Sequence, residues 1–201
     1  EWLSAVKLKI KESTYANYRM KADKHILSQF ADIRYENLTV QMLHNFIESK
    51  LNSGLSAKYI SDIVIVFKSM AKYISRVHGL RNPIADVVLP KSYKKEINLF
   101  SDIQQKKLCK YLLKNTDNTS LGILLSIYMG LRIGEVCSLK WSDINLEKSI
   151  LTVKRTVQRI RTGEHGTRLI IDTPKSRSSQ RVIPIPLFLM NILRKLHKRN
   201  D

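Results

Sequence analysis

The chain of 201 residues is 43% hydrophobic and 26% charged, which leaves room for one large domain or two small ones around a real core. That composition excludes a disordered tail, and the longest apolar run, at positions 63–67, excludes a membrane-spanning helix. The unusual quantity is charge: 35 Lys and Arg against 17 Asp and Glu leave a net +18, which points to a polyanionic partner.

The first part of the chain reads as helical. Ser13 can cap a helix over residues 14 to about 28, with Tyr15, Tyr18, Ala22, His25 and Ile26 spaced by three and four. Thr39 can cap a second, whose Leu43, Phe46, Ile47 and Leu51 share one face, and Gly54 ends it. Ser56 opens a third, apolar at Ile60, Ile63, Phe67, Met70 and Ile74. Its opposite side offers Lys58, Ser61, Lys68 and Lys72, facing either phosphates or water. His78-Gly79 closes this helix and Asn82-Pro83 starts a turn. Residues 90–95 have a linker's composition, so the predicted domains are 1–92 and 93–201.

The second part opens with Ser101-Asp102 capping a helix to about residue 114, followed by a polar loop over 115–119. Residues 121–129 are apolar nearly all round, which predicts a buried helix that includes Tyr128. Gly130 stops it, and a short helix runs from 132 to about 139. The period then changes. Residues 150–160 alternate and are rich in β-branched side chains, 168–173 look like their partner, and 181–185 make a third strand. Pro186 suits the first turn of a last helix over 187–197. The predicted fold class is mainly α with a small β-sheet, a helical domain followed by a mixed α/β domain.

Charge is unevenly spread. Residues 1–93 hold 14 basic and 8 acidic side chains, residues 94–201 hold 21 and 9. Eight cations fall between positions 154 and 181, against only Glu164 and Asp172. For any one of them a solvated strand or loop charge is the bland explanation. Together they favour nucleic acid, and no Trp/Leu-rich stripe faces them to favour a membrane. Two cysteines, Cys109 and Cys137, build neither a disulfide framework nor a zinc knuckle and fit a reducing cytoplasm. The five histidines lack metal spacing, so no metal site is expected.

Two segments carry chemistry. The first runs Gly130-Leu131-Arg132-Ile133-Gly134-Glu135 and on through Leu139, Trp141, Asp143 and Ile144. The second runs Pro174-Lys175-Ser176-Arg177-Ser178-Ser179-Gln180-Arg181-Val182-Ile183-Pro184. In this order, with the predicted hairpin between them, they resemble the tyrosine recombinase (phage integrase) family. Its Gly-Leu-Arg-x-Gly-Glu-x-x-x-Leu-x-Trp-x-Asp-Ile box is matched at every fixed position, and so is its Pro-Lys-[Thr/Ser]-x-x-Ser-x-Arg-x-[Ile/Val]-Pro box. The first domain resembles the family's SAM-like core-binding domain, down to the Ser-Thr-Tyr-x-x-Tyr start at Ser13.

The resemblance implies a truncated catalytic domain after a core-binding domain, and it assigns roles. Arg132, always charged and offering planar paired donors, suits a scissile phosphate that gains charge in the transition state. Glu135, three residues on, would support the active-site base or arginine. Lys175 would donate a proton to the leaving 5′ oxygen. Apart from the resemblance, Arg177 and Arg181 are expected to contact phosphates rather than do chemistry, and Lys58, Lys68 and Lys72, on the side of the third helix opposite its apolar face, are the expected DNA-binding residues of the first domain. The reaction keeps the phosphodiester energy in a phosphotyrosyl link, so no cofactor is implied. The implied partners are double-stranded DNA, further copies in a tetrameric synaptic complex of the intact protein, and an excisionase or DNA-bending accessory protein. No membrane is implied, and the site of action would be the bacterial cytoplasm or nucleoid.

The family's later His-x-Leu-Arg box and late tyrosine have no counterpart here. His78-Gly79-Leu80-Arg81 precedes Arg132, His165-Gly166-Thr167-Arg168 precedes Lys175, and all eight tyrosines lie at or before Tyr128. The expectation is a fragment that binds DNA without cutting it. The alternative is a non-catalytic duplex-binding module from a decayed or truncated integrase. A basic RNA-associated protein would explain the charge but not the two boxes.

Overall fold

The computed structural model describes residues 1–93, 96–115, 117–162, 166–173 and 180–200. The chain divides into two units, Glu1–Glu96 with Ile160–Gly166, and Ile97–Arg159 with Thr167–Asp201.

In the first unit, α1 (Trp2–Lys7) was not evident from periodicity; its Trp2 is buried and stacks on Tyr18 with ring centroids 5.8 Å apart. Helix α2 (Glu12–Lys21) starts one residue before Ser13 and has no side-chain cap. It continues through a π-helical turn (Ala22–Leu27) into α3 (Ser28–Phe30), and the wider turn buries Ala22, His25 and Ile26 together. A short 3₁₀ turn (Tyr35–Asn37) leads to α4 (Val40–Asn52). There the Thr39 hydroxyl accepts the Met42 N–H at 3.2 Å, and Ser56 does the same for Tyr59 at the start of α5 (Ala57–His78). Gly79 ends α5 in the left-handed conformation, φ 66°. Leu43, Phe46, Ile60, Ile63 and Val64 are fully buried, and Phe30 packs between Phe46 and Phe67.

The side of α5 expected to face water or phosphate is partly covered by the chain itself. Ser61 is buried: its Oγ donates to Ala57 O at 2.9 Å and lies 3.3 Å from Pro90 O. Lys68 Nζ donates to Val87 O at 3.0 Å. Ile84 and Val87 enter the core beneath these bonds. The seven helical steps from Ser61 to Lys68 rise about 10 Å, the length of the three extended steps from Val87 to Pro90, so the returning strap runs antiparallel along the helix.

In the second unit, α6 (Asp102–Lys114) opens with a reciprocal capping box between Ser101 and Gln104, and Asp117 caps α7 (Asn118–Met129). Leu124, Leu125 and Met129 of α7 are buried, but Tyr128 is 44% exposed. The helix expected to be buried all round is therefore buried on one side only. After α8 (Ile133–Val136) and a 3₁₀ turn (Trp141–Asp143) come β1 (Ile144–Asn145), β2 (Ile150–Val153), β3 (Thr156–Thr162), β4 (Gly166–Asp172), β5 (Arg181–Pro184) and α9 (Leu187–Asn200). One sheet has the order β1-β2-β5, antiparallel, with Leu151 opposite Ile144 and Ile183, and Val153 opposite Arg181. Pro184 ends β5 on the sheet's edge, where a missing N–H costs no ladder bond. Strands β3 and β4 form a separate pair.

The strand expected to run unbroken over 150–160 is thus two strands in two sheets. The break falls at Lys154-Arg155, and both side chains turn to Asp143. A tertiary ion pair overrides the local β preference. Leu124, Leu151, Leu189, Met190 and Leu193 fill this unit's core. Among the described residues no helix is long and apolar enough to cross a membrane.

Candidate functional site

The first box folds into a rigid platform. Gly130 closes α7 in the left-handed conformation, φ 63°, which a residue with a Cβ adopts only at a cost. Leu131 is buried and Arg132 follows with extended backbone, at the head of the single turn of α8. Gly134 faces β3: a Cβ there would lie 2.6 Å from Val157 O and against Thr156 Oγ1. Only glycine lets α8 approach the strand this closely.

Glu135 is the hub, with 3% of its surface exposed. Its Oε2 accepts the backbone N–H of Arg132 at 3.0 Å, and its Oε1 accepts Arg132 Nη1 at 3.0 Å. Arg181 donates from Nη1 to Oε1 at 3.1 Å and from Nη2 to Oε2 at 2.9 Å, and Nη2 also reaches Gly130 O at 3.2 Å. Burial alone would raise the Glu135 pKa. The Arg181 guanidinium, then the backbone and side chain of Arg132, outweigh it and hold the carboxyl down at about 2. The two arginines differ in exposure. The Arg132 side chain is 73% exposed and Arg181's is 29%, so Arg132 presents most of its guanidinium to solvent while one edge is tied down.

A second set of bonds holds α8 to the strands. Ser138 Oγ reaches Glu135 O at 2.9 Å and Arg155 O at 2.8 Å. The Arg155 guanidinium binds Asp143, which also accepts the Lys140 N–H at 3.1 Å and lies 3.4 Å from Lys154 Nζ. A continuous chain of contacts thus runs from Arg132 through Glu135, Ser138 and Arg155 to Asp143.

The residues singled out in the sequence are distributed as follows. Arg132, Glu135 and Arg181 come together at one site. Lys175 and Arg177 lie outside the described residues. In the helical unit, Lys58 pairs with Asp62 at 2.9 Å, Lys68 is bonded to the strap, and Lys72 is exposed on a groove beside α1. Sequence reading missed Ser138, Arg155 and Asp143 as supports of the platform. The signal for Asp143 was its fixed place in the first box. Arg155 stood only as one cation among eight.

Two family models match: the phage integrase N-terminal SAM-like domain over residues 1–51, and the phage integrase family over residues 92–200. A "tyrosine recombinase XerC-like" protein of Caldanaerobacter subterraneus subsp. tengcongensis is 28% identical, across 98% of this chain and 54% of the relative. The chain therefore spans about half the length of the curated relatives it matches. Among solved structures, the Tn1549 transposon integrase in complex with a circular intermediate DNA aligns with a TM-score of 0.76 at 16% identity, covering 100% of this chain and 64% of that one. A lambda integrase tetramer bound to a Holliday junction aligns at 0.69 and 20% identity, over 98% of this chain and 52% of the other. At such identities the structural likeness speaks for the fold. With the second model spanning more than half of its residues, the chain belongs to the phage integrase family.

Proposed function

We propose that this chain is the core-binding and leading catalytic portion of a tyrosine recombinase that integrates or exchanges DNA at specific sites. The observation that carries this reading is the Arg132 guanidinium, tethered through Glu135 yet largely open to solvent. A phosphodiester that gains charge as it is attacked needs fixed donors aimed at its non-bridging oxygens, and a pre-positioned arginine supplies them without reorganisation. Arg181 serves that arginine by saturating the carboxylate that holds it. Lys175 is the proposed proton donor to the leaving 5′ oxygen, and Arg177 a phosphate contact.

In the intact protein a tyrosine would attack the phosphate, leaving a 3′-phosphotyrosyl link and a free 5′ hydroxyl. The hydroxyl of a partner strand then attacks the link, which restores the phosphodiester and frees the tyrosine. Duplex DNA is the proposed substrate, a tetramer on two duplexes the proposed assembly, and an excisionase or DNA-bending protein a proposed accessory partner, acting in the bacterial cytoplasm or nucleoid.

The test is a nicked suicide duplex incubated with the full gene product and with its Arg132→Ala variant. A covalent adduct is expected from the former only, with duplex affinities within about threefold, since one phosphate contact among many is lost. An Arg132→Ala protein that still forms adduct on saturated DNA would remove Arg132 from the transition state.

A further inference from the structure

The groove between α1 and α5 gathers charge that sequence periodicity did not bring together. It measures about 490 Å³, and Trp2, Lys9, Ser69, Lys72, Tyr73 and Arg76 line it. On α5, Lys72 and Tyr73 lie three and four positions after Ser69, and Arg76 lies four and three after them, so the four share a face. Lys9 comes from the turn after α1, fixed by its N–H to Val6 O at 2.9 Å. No carboxylate lines this groove, and among the described residues none of its three cations forms an ion pair. The neighbouring lysines of α5 are different: Lys58 is paired with Asp62 and Lys68 is bonded to Val87 O.

Three like charges in one groove without a counter-charge repel one another in the free protein, and an anion reverses that repulsion. The geometry favours a linear anion over a single ion. Lys72 and Arg76 stand one helical turn apart, a rise of about 6 Å, with Lys9 opposite them across an open cleft. Ser69 adds a neutral donor on the same face.

We propose that the α1–α5 groove is a phosphate cleft of the helical unit, which seats consecutive phosphates of one strand of duplex DNA on Lys9, Lys72 and Arg76. This rests on the reading of the chain as a DNA-acting protein. Of the three lysines expected to contact phosphate it keeps Lys72, sets aside Lys58 and Lys68, which are bonded within the unit, and adds Lys9 and Arg76.

The test is fluorescence anisotropy of the 201-residue chain on a labelled duplex between 50 and 200 mM salt. The triple variant Lys9→Gln, Lys72→Gln, Arg76→Gln should bind on the order of 10- to 100-fold more weakly at 100 mM salt. Its log–log salt slope should be shallower by about 2 to 3, near one unit per lost phosphate. A second triple variant, Lys106→Gln, Lys110→Gln, Lys114→Gln, removes the same charge from exposed positions of α6 and should change affinity less than about threefold. Lys9→Arg with Lys72→Arg should keep wild-type affinity, and the groove triple should melt no earlier than wild type, because repulsion has been relieved.

A groove triple that binds like wild type, or an α6 triple that loses as much, would overturn the cleft while leaving the DNA reading in place. Early melting of the groove triple would overturn it too, by giving these cations a structural role. A wild-type chain with no salt-dependent duplex binding would sink the DNA reading itself. Groove-dependent binding that prefers duplex RNA would overturn DNA as the occupant.

Discussion

Arg181 reaches back 46 positions to Glu135 and binds both of its carboxylate oxygens, at 2.9 and 3.1 Å. It does so from the first residue of β5, opposite Val153 of β2, so the register of an edge strand sets the clamp on the first box. A slip of one residue would turn Arg181 to the other face of the sheet and release Glu135. The sheet is thereby part of the site, although it contributes none of the exposed guanidinium.

The clamp has a pH signature. Glu135 is held at about 2 against an ordinary 4.5, so its stabilisation is complete above about pH 4.5 and is lost as pH falls towards 2. The shift corresponds to about 3 kcal/mol. Glu135→Gln should cost about that much at pH 7 and should lose the extra acid sensitivity of wild type between pH 4.5 and 2. Urea unfolding of both proteins at pH 7, 4 and 2.5 checks this. Parallel acid profiles would show that the arginines do not hold the carboxyl down.

Gly134→Ala should destabilise the second unit by about 1–3 kcal/mol, because its Cβ meets backbone at Val157 O and α8 must shift. Gly122→Ala is the contrast. Its Cβ would meet only the Val136 Cγ1 methyl at 3.1 Å, and the gain in helix propensity offsets much of that contact. Thermal melts of the two variants should therefore separate clearly, with Gly122→Ala nearer to wild type.

The helical unit should weaken on mild acidification. His25 is buried on the π-helical turn, its Nε2 3.1 Å from Tyr59 Oη. Burial, then Lys50, Lys24 and Lys21, lower its pKa below 6.5, and Asp62, 3.8 Å from Lys21 Nζ, is the nearby counter-charge. A lowered folded value means that stability is full above pH 6.5 and is lost as pH falls through the folded pKa, by at most about 1.4 kcal/mol per unit. His25→Gln should flatten the pH dependence of unfolding between pH 7 and 5. An unchanged slope would place the acid sensitivity elsewhere.

The 201-residue chain should form no covalent adduct on a nicked suicide duplex. None of its tyrosines follows the first box. Tyr128, the nearest, packs edge-on against Phe188 with ring centroids 4.7 Å apart, and its hydrogen bond with Cys109, then burial, push its phenol pKa up. A denaturing gel with labelled duplex decides the matter: a shifted, protease-sensitive band would mean that an existing tyrosine attacks.

What was legible in the sequence was what is local. Thr39, Ser56 and Ser101 cap helices where the sequence places them, because a hydroxyl and an N–H three residues on suffice. The resemblance of the first box to the family's marked Arg132 and Glu135. It could not reveal that Arg181 closes on Glu135, since that contact depends on which strands pair. The break at Lys154-Arg155 was hidden for the same reason: it exists because Asp143 attracts both cations, and alternation along the strand carries no trace of that. Ser61 and Lys68 looked solvent-facing because helical spacing describes a helix alone, and here a strap comes back to cover it.

That strap also bears on the order in which the molecule assembles. Its bonds to α5 join residues 19 and 29 positions apart, so the strap closes onto α5 through short loops and can form early in folding. Glu135 must wait for a loop of 46 positions, longer than either, to bring Arg181 home, and closing it carries a larger entropic cost. A nascent chain should therefore own a strapped α5 before it owns a clamped Arg132. Pulsed hydrogen exchange during refolding would date the two events, and simultaneous protection of α5 and β5 would contradict that order.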